Sequence, residues 1–284
     1  MKLLERLLLE TMSLSRPDEL PDLPILTNKL YEKPSVFTPE NLLREARRQK
    51  GLEPGTVPAI CVLDPDGDLV DYLNATGLAN RHKNWACYHT NLDTFIDKEL
   101  DIEFGIVGRV VGAPFAVLVA EELFASGCKL LISLTSAGQI SPVGQPPYMV
   151  LIDKALRDEG TSYHYLPASS YSYVNTGLRA VLEQGWDEAV MALEIGASWT
   201  TDAPFRETEE AISYCKQQGI LTVEMEAAAL YALATARSKN IICFAHVTNQ
   251  MGQNEGDFEK GLHQGSLTGL KVINLVARLI GPAL

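Results

Sequence analysis

The densest chemistry in the chain lies at Val223-Glu224-Met225-Glu226, where two carboxylates flank a thioether just before Ala227-Ala228-Ala229. A carboxylate accepts hydrogen bonds at both oxygens, so one glutamate can hold both hydroxyls of a cis-diol such as ribose. The methionine between them offers a flexible apolar wall for the face of a sugar. The same spacing serves a structural end equally well, because carboxylates are favoured at the positive N-terminus of a helix. Residue type alone leaves both readings open.

Such a segment needs elements to position it. Short continuous apolar runs at 59–63, 104–107, 129–134, 189–193, 220–223 and 241–247 read as buried strands. Amphipathic stretches at 115–126, 207–218, 227–239 and 266–279 read as helices. This alternation predicts an α/β architecture with a parallel or mixed sheet, whose ligands gather where strands end. Residues 1–57 carry Pro17, Pro21, Pro24, Pro34, Pro39 and Pro54, which prevents long helices and central strands. They are expected to form an extension wrapping one domain at 58–284, with a helical stretch over 39–46 and an amphipathic helix over 1–10 docked on the body.

The chain of 284 residues has a net charge of −12, which disfavours nucleic acid and anionic membranes as main partners. No apolar run approaches the roughly 20 residues that span a bilayer, and charges interrupt the leucines where a signal peptide would be uniformly apolar. Cys61, Cys87, Cys128, Cys215 and Cys243 are scattered and never spaced as CxxC. That fits a reducing cytoplasm and argues against a zinc site, so neither a metal nor a cofactor is expected.

Val-Glu-Met-Glu followed by small residues resembles the ribose-binding signature of the nucleoside phosphorylase and nucleosidase superfamily. Three further blocks agree in order. Gly112-Ala113-Pro114 through Glu121-Glu122-Leu123 to Gly127 resembles the family's turn and helix. Gly160-Thr161-Ser162-Tyr163-His164-Tyr165 resembles a block of the uridine phosphorylase branch. Thr200-Thr201-Asp202-Ala203-Pro204-Phe205-Arg206-Glu207 resembles a base-pocket segment. The likeness covers roughly residues 58 to 282. It implies a three-layer α/β/α fold with a mixed central sheet, assembled as dimers, trimers of dimers or other homo-oligomers.

The resemblance also implies roles. Glu226, with Glu224 and Met225, would hold the ribose, and Phe205 would stack on the base. Arg206 would reach a base carbonyl or a phosphate, unless it pairs with Glu209 or Glu210. Asp202 belongs to the same segment, or caps the helix that follows. Asn249 falls where purine-cleaving relatives place an aspartate; an amide cannot deliver a titratable proton, so it resembles the uridine branch more. The uracil-reading Gln-x-Arg pair of that branch is not evident at Thr208-Glu209-Glu210.

The anion pocket departs furthest from the family. Where uridine phosphorylases carry Gly-Asp-Pro-x-Arg, this chain has Leu63-Asp64-Pro65-Asp66-Gly67, and two further family arginines fall near Ser133 and His89. Ser136 and the turn at Gly138 are left to offer a hydroxyl and backbone donors. Arg109, helped by Arg81 or His82, is the candidate for a relocated anion ligand, or else a surface arginine. Three readings follow: a uridine phosphorylase-like enzyme using inorganic phosphate as co-substrate; a nucleosidase whose water is activated by His164, His89 or Glu224; and a non-catalytic nucleoside-binding relative.

Overall fold

The computed structural model describes residues 23–251 and 255–284, so the expected helix over residues 1–10 lies outside the described residues. The first described helix, α1 (Pro39–Lys50), shows how locally its ends are set. Thr38 accepts a hydrogen bond from the Asn41 N–H, Pro39 supplies a pre-set φ at the first turn, and Gly51 at φ 63° ends the helix in the left-handed region. Leu43 and Ala46 pack against Ala86 of the body, with Ala125 beside them.

The remaining elements alternate as expected. They are β1 (Ile60–Asp64), α2 (Asp68–Ala75), β2 (Ala79–Arg81), β3 (Asp93–Asp97), β4 (Ile102–Gly108), α3 (Ala113–Ala125), β5 (Leu130–Gln139), β6 (Tyr148–Asp158) and β7 (Tyr171–Tyr173). After these come α4 (Thr176–Gly185), β8 (Glu194–Thr201), α5 (Glu209–Gln217), β9 (Ile220–Glu224), α6 (Ala227–Arg237), β10 (Asn240–Asn249) and α7 (Ser266–Ile280). Among the described residues no helix is long and apolar enough to cross a membrane.

Strand β1 pairs in parallel with β4 and β5, and β5 pairs in parallel with β10. Strands β2 and β3 extend the β4 edge in antiparallel fashion, so the sheet is mixed. Side chains alternate between its faces. Cys61, Leu63, Leu131 and Cys243 meet α3 and α6 through Val117, Leu123, Leu230 and Leu233. Val62, Ile132, Ile242 and Phe244 meet α2, α4 and α7 through Leu73, Leu182, Val272 and Val276. Two separate cores on one sheet make the three layers.

At the β10 side the sheet closes on itself. Strand β10 pairs with β6, β6 with β8, β8 with β9, and β9 returns to the end of β5 through Gly138↔Val223 and Gln139↔Thr222. Gly138 is the crossing point, since it also registers with Asn249 of β10. A Cβ there would lie 2.7 Å from the Met251 sulfur and 3.1 Å from a Val223 methyl, so the crossing is drawn too tight for a side chain.

One expected strand is displaced. Residues 189–193 form a turn instead: the Asp187 carboxylate accepts from the Ala189 N–H, its carbonyl from Val190 and Met191, and the Trp186 indole donates to the Met191 carbonyl. Local side-chain-to-backbone bonding wins over apolar composition here, and the strand starts at Glu194.

Candidate functional site

The residues of the Glu-Met-Glu segment divide by role. Glu224 ends β9 and is fully committed to its own chain. One carboxylate oxygen accepts from the N–H groups of Glu226 and Ala227, both at 2.7 Å, and the other from the hydroxyls of Ser198 and Thr200 at 3.1 and 2.5 Å. Thr200 in turn accepts from the Ala228 N–H at 2.9 Å. The free donors of the first turn of α6 are thus satisfied, and the structural reading of a carboxylate at a helix start holds for this residue. Glu224 is therefore neither a water activator nor a free sugar ligand.

Glu226, 1% exposed, stands one step further on at the cap of α6. It accepts from the Gly112 N–H at 2.7 Å, and its second oxygen accepts from the Thr135 hydroxyl at 2.9 Å. A longer bond of 3.3 Å comes from the Met225 N–H. A carboxylate offers about four lone-pair directions, so some accepting capacity remains. Burial, and then the neighbouring Glu224 charge, push this carboxyl up to about 8. Half-buried Met225 lies beside it.

Thr135 leads from Glu226 to the end of β1. There a cavity of about 40 Å³ is lined by Asp64, Asp66, Thr135, Ser136, His246 and Gly265 among others. That volume holds about one water molecule. The Ser136 hydroxyl donates to Asp66, and the Lys260 ammonium bridges Asp66 at 2.9 Å and Asp68 at 2.5 Å. Asp64 accepts from the Val70 N–H at 2.9 Å and so holds the first turn of α2. Burial is the main cause that pushes the Asp64 carboxyl up to about 6. Burial, with Lys260 adding to it, lowers His246, which favours a neutral ring. The pocket where the family arginines are missing is therefore filled by carboxylates and one lysine already bonded to them.

Several expected ligands go elsewhere. Arg109 adopts φ 61°, packs across Gly67 and bonds Asp71 at 2.6 Å, so its guanidinium is engaged by a carboxylate. Arg81 is likewise held by Asp93 at 2.6 Å, and the His82 ring meets the Thr56 carbonyl. His164 is held by Lys29 at 3.0 Å and lines a cavity shared with Arg237, the last residue of α6, and Lys239 just beyond it. An eleven-residue helix is about 16 Å long, so this cavity lies toward the end of α6 opposite Glu226. Asn249 is spent on its own loop, accepting from the Met251 N–H and donating to the Thr248 hydroxyl. Gly138 forms the strand crossing.

The base-side segment keeps its expected position but not all its expected bonds. Asp202 accepts from the Gly160 N–H at 2.9 Å, joining the end of β8 to the Gly160–Tyr165 block; the cap of α5 is Thr208. Phe205 is wholly exposed, and Arg206 makes no ion pair among the described residues, so its expected pairing with Glu209 or Glu210 does not form.

Sequence reasoning missed Thr135, Asp66, His246 and Lys260 as a group. A signal existed for His246, a titratable residue inside the otherwise apolar run 241–247. Lys260 has none, since it comes from irregular chain far from Asp66 in sequence.

The fold and this strand-end arrangement define an α/β/α protein with a buried carboxylate at a sheet crossing. The description "Phosphorylase superfamily" matches residues 61–280, and the chain belongs to that family. It is 28% identical over 149 residues to an uncharacterized protein of Acanthamoeba polyphaga mimivirus, covering 52% of this chain and 58% of the viral protein. It is 23% identical over 219 residues to a uridine phosphorylase of Thermococcus kodakarensis, covering 71% of this chain and 78% of that enzyme. Its fold matches the crystal structure of uridine phosphorylase from Vibrio fischeri with a TM-score of 0.63 at 20% identity, over 89% of this chain and 99% of that one.

Proposed function

We propose that this chain cleaves the N-glycosidic bond of a nucleoside with water as the nucleophile, in place of phosphate. The observation that carries the reading is the acidic, water-sized cavity beside Ser136, whose hydroxyl is already given to Asp66. A phosphate there would meet Asp64, Asp66 and Asp68 without the planar guanidinium forks that bind it best. Like charges in contact repel strongly in a partly buried site.

In this reading a ribose hydroxyl takes the one accepting direction that Glu226 has left, and Met225 lines the sugar face. Water in the cavity attacks the anomeric carbon as the bond to the base breaks. The base nitrogen leaves with the bonding electron pair, and the water gives its proton to Asp64, whose raised pKa suits a general base near neutral pH. Phe205 offers a flat apolar face to the base. Its complete exposure supports an assembly in which a second copy covers it.

The second reading is phosphorolysis, favoured by the name of the Thermococcus relative; it requires Lys260 to leave its two aspartates for phosphate. Incubating a panel of nucleosides with and without phosphate, and following free base, separates the readings. Release independent of phosphate supports hydrolysis, phosphate-dependent release supports the second reading, and no release from any nucleoside supports a non-catalytic binding protein.

A further inference from the structure

On the α3 side of the sheet, away from the Asp66 cavity, three metal-ligating side chains converge. The Cys87 sulfur, a His89 ring nitrogen and a Glu122 carboxylate oxygen all lie within 4.8 Å of one another. Cys87 and His89 come from the loop before β3, and Glu122 from the third turn of α3. The loop is pre-shaped: the Trp85 indole donates to the Thr90 hydroxyl at 3.1 Å, and the His89 N–H donates to the Cys87 sulfur at 3.4 Å.

Glu122 supplies the independent observation. It is 1% exposed, and neither carboxylate oxygen has a hydrogen-bond partner among the described residues. The Cys87 thiol faces it, but a thiol is a weak donor. A buried carboxyl left unpaired is costly, and natural structures resolve that cost with a partner or a metal. Lys50 supplies a nearby positive charge, but its ammonium donates to the Cys87 carbonyl and lies 5.2 Å from the centre of the Tyr88 ring.

We propose that Cys87, His89 and Glu122 form a binding site for a divalent transition-metal ion of the zinc type. One sulfur, one imidazole nitrogen and one carboxylate oxygen are the donor types zinc takes, with water completing a tetrahedron. Donors around such an ion stand about 3.5 Å apart, so the trio must close by about an ångström, which rotation of the exposed His89 side chain permits. Binding deprotonates the Cys87 thiol, forms the metal–sulfur bond and releases the proton to solvent. The ion pins the loop before β3 to α3. Because Gly112, the N-cap of α3, donates to Glu226, the bound metal stiffens the helix whose start touches the candidate sugar site.

The test is metal titration of the full chain after stripping with a chelator, using Zn²⁺ and then Co²⁺ as an optical reporter. The expected result is one Co²⁺ per chain with a thiolate-to-cobalt charge-transfer band. That band disappears in Cys87→Ser, and affinity falls at least tenfold in both His89→Ala and Glu122→Gln. Zn²⁺ should raise Tm in the parent chain only. His89 is exposed, so His89→Ala keeps the fold, which far-UV circular dichroism checks. Absence of the band in the parent chain, or an affinity unchanged by His89→Ala, overturns the proposal. Neither readout depends on nucleoside cleavage, so this site can fail while the hydrolytic reading stands, and the reverse.

Discussion

The hydroxyl of Thr135 donates to the Glu226 carboxylate at 2.9 Å, linking the middle of β5 to the start of α6. The same threonine lines the water-sized cavity at Asp64 and Asp66. One side chain therefore touches both halves of the candidate site, the buried Glu226 carboxylate and the cavity proposed for the nucleophile.

Replacing Glu226 by Gln separates binding from stability. Loss of nucleoside cleavage by at least a hundredfold is expected if it holds the ribose. Its folded pKa, raised to about 8, lies above the unfolded carboxylate value. The folded state thus holds a proton that the unfolded state has lost, and stability falls as pH rises through that window. Chemical denaturation from pH 5 to 8.5 should show this fall in the parent chain and a flatter curve in Glu226→Gln; parallel curves would refute the assignment.

Asp66 blocks the anion position in the hydrolytic reading. Asp66→Ala frees both the Ser136 hydroxyl and one side of Lys260. Phosphate affinity measured by calorimetry should rise at least tenfold, equivalent to about 1.4 kcal/mol. Unchanged affinity would remove the electrostatic argument against phosphate.

A general base at Asp64 predicts a particular pH profile. The rate of cleavage at low substrate should rise with pH through about 6, where Asp64 gives up its proton. Asp64→Asn should abolish that limb while still accepting from Val70. A profile without an inflection in that region assigns the base elsewhere.

Tyr231 tests the packing beneath the site. It is fully buried on α6, donates to the Ile152 carbonyl at 2.6 Å and accepts from the Cys243 N–H at 3.0 Å. Tyr231→Phe leaves both backbone groups without this partner and should cost about 1–3 kcal/mol in urea denaturation. A loss below about 0.5 kcal/mol would mean that water replaces the hydroxyl.

How far the sequence reaches can be judged from particular elements. The apolar runs behind β1, β5 and β10 were legible because a strand covered on both faces must be apolar throughout. The helices α3 and α6 showed their ends through Gly112, Gly127 and the alanines after Glu226. Residues 189–193 misled because their composition suits a strand while Asp187 and Trp186 bind the backbone into a turn. Strands β6 and β3 went unread because charges interrupt their apolar residues, among them Asp153, Arg157 and Asp93, which bond Arg179, the loop after β6 and Arg81.

The sequence by itself determined the family likeness, the mixed α/β order of elements and the place of Glu226, since these rest on local periodicity and short motifs. Only the tertiary structure decided which carboxylate is fully committed and which keeps an accepting direction. Glu224 and Glu226 differ by two positions, yet strand β8 brings hydroxyls to one and the α3 turn and Thr135 meet the other. It likewise decided that Arg109 turns to Asp71, that Lys260 closes over Asp66, and that His164 bonds Lys29. Each of these depends on which distant segments the sheet closure brings together, and nearest-neighbour chemistry along the chain carries no record of that.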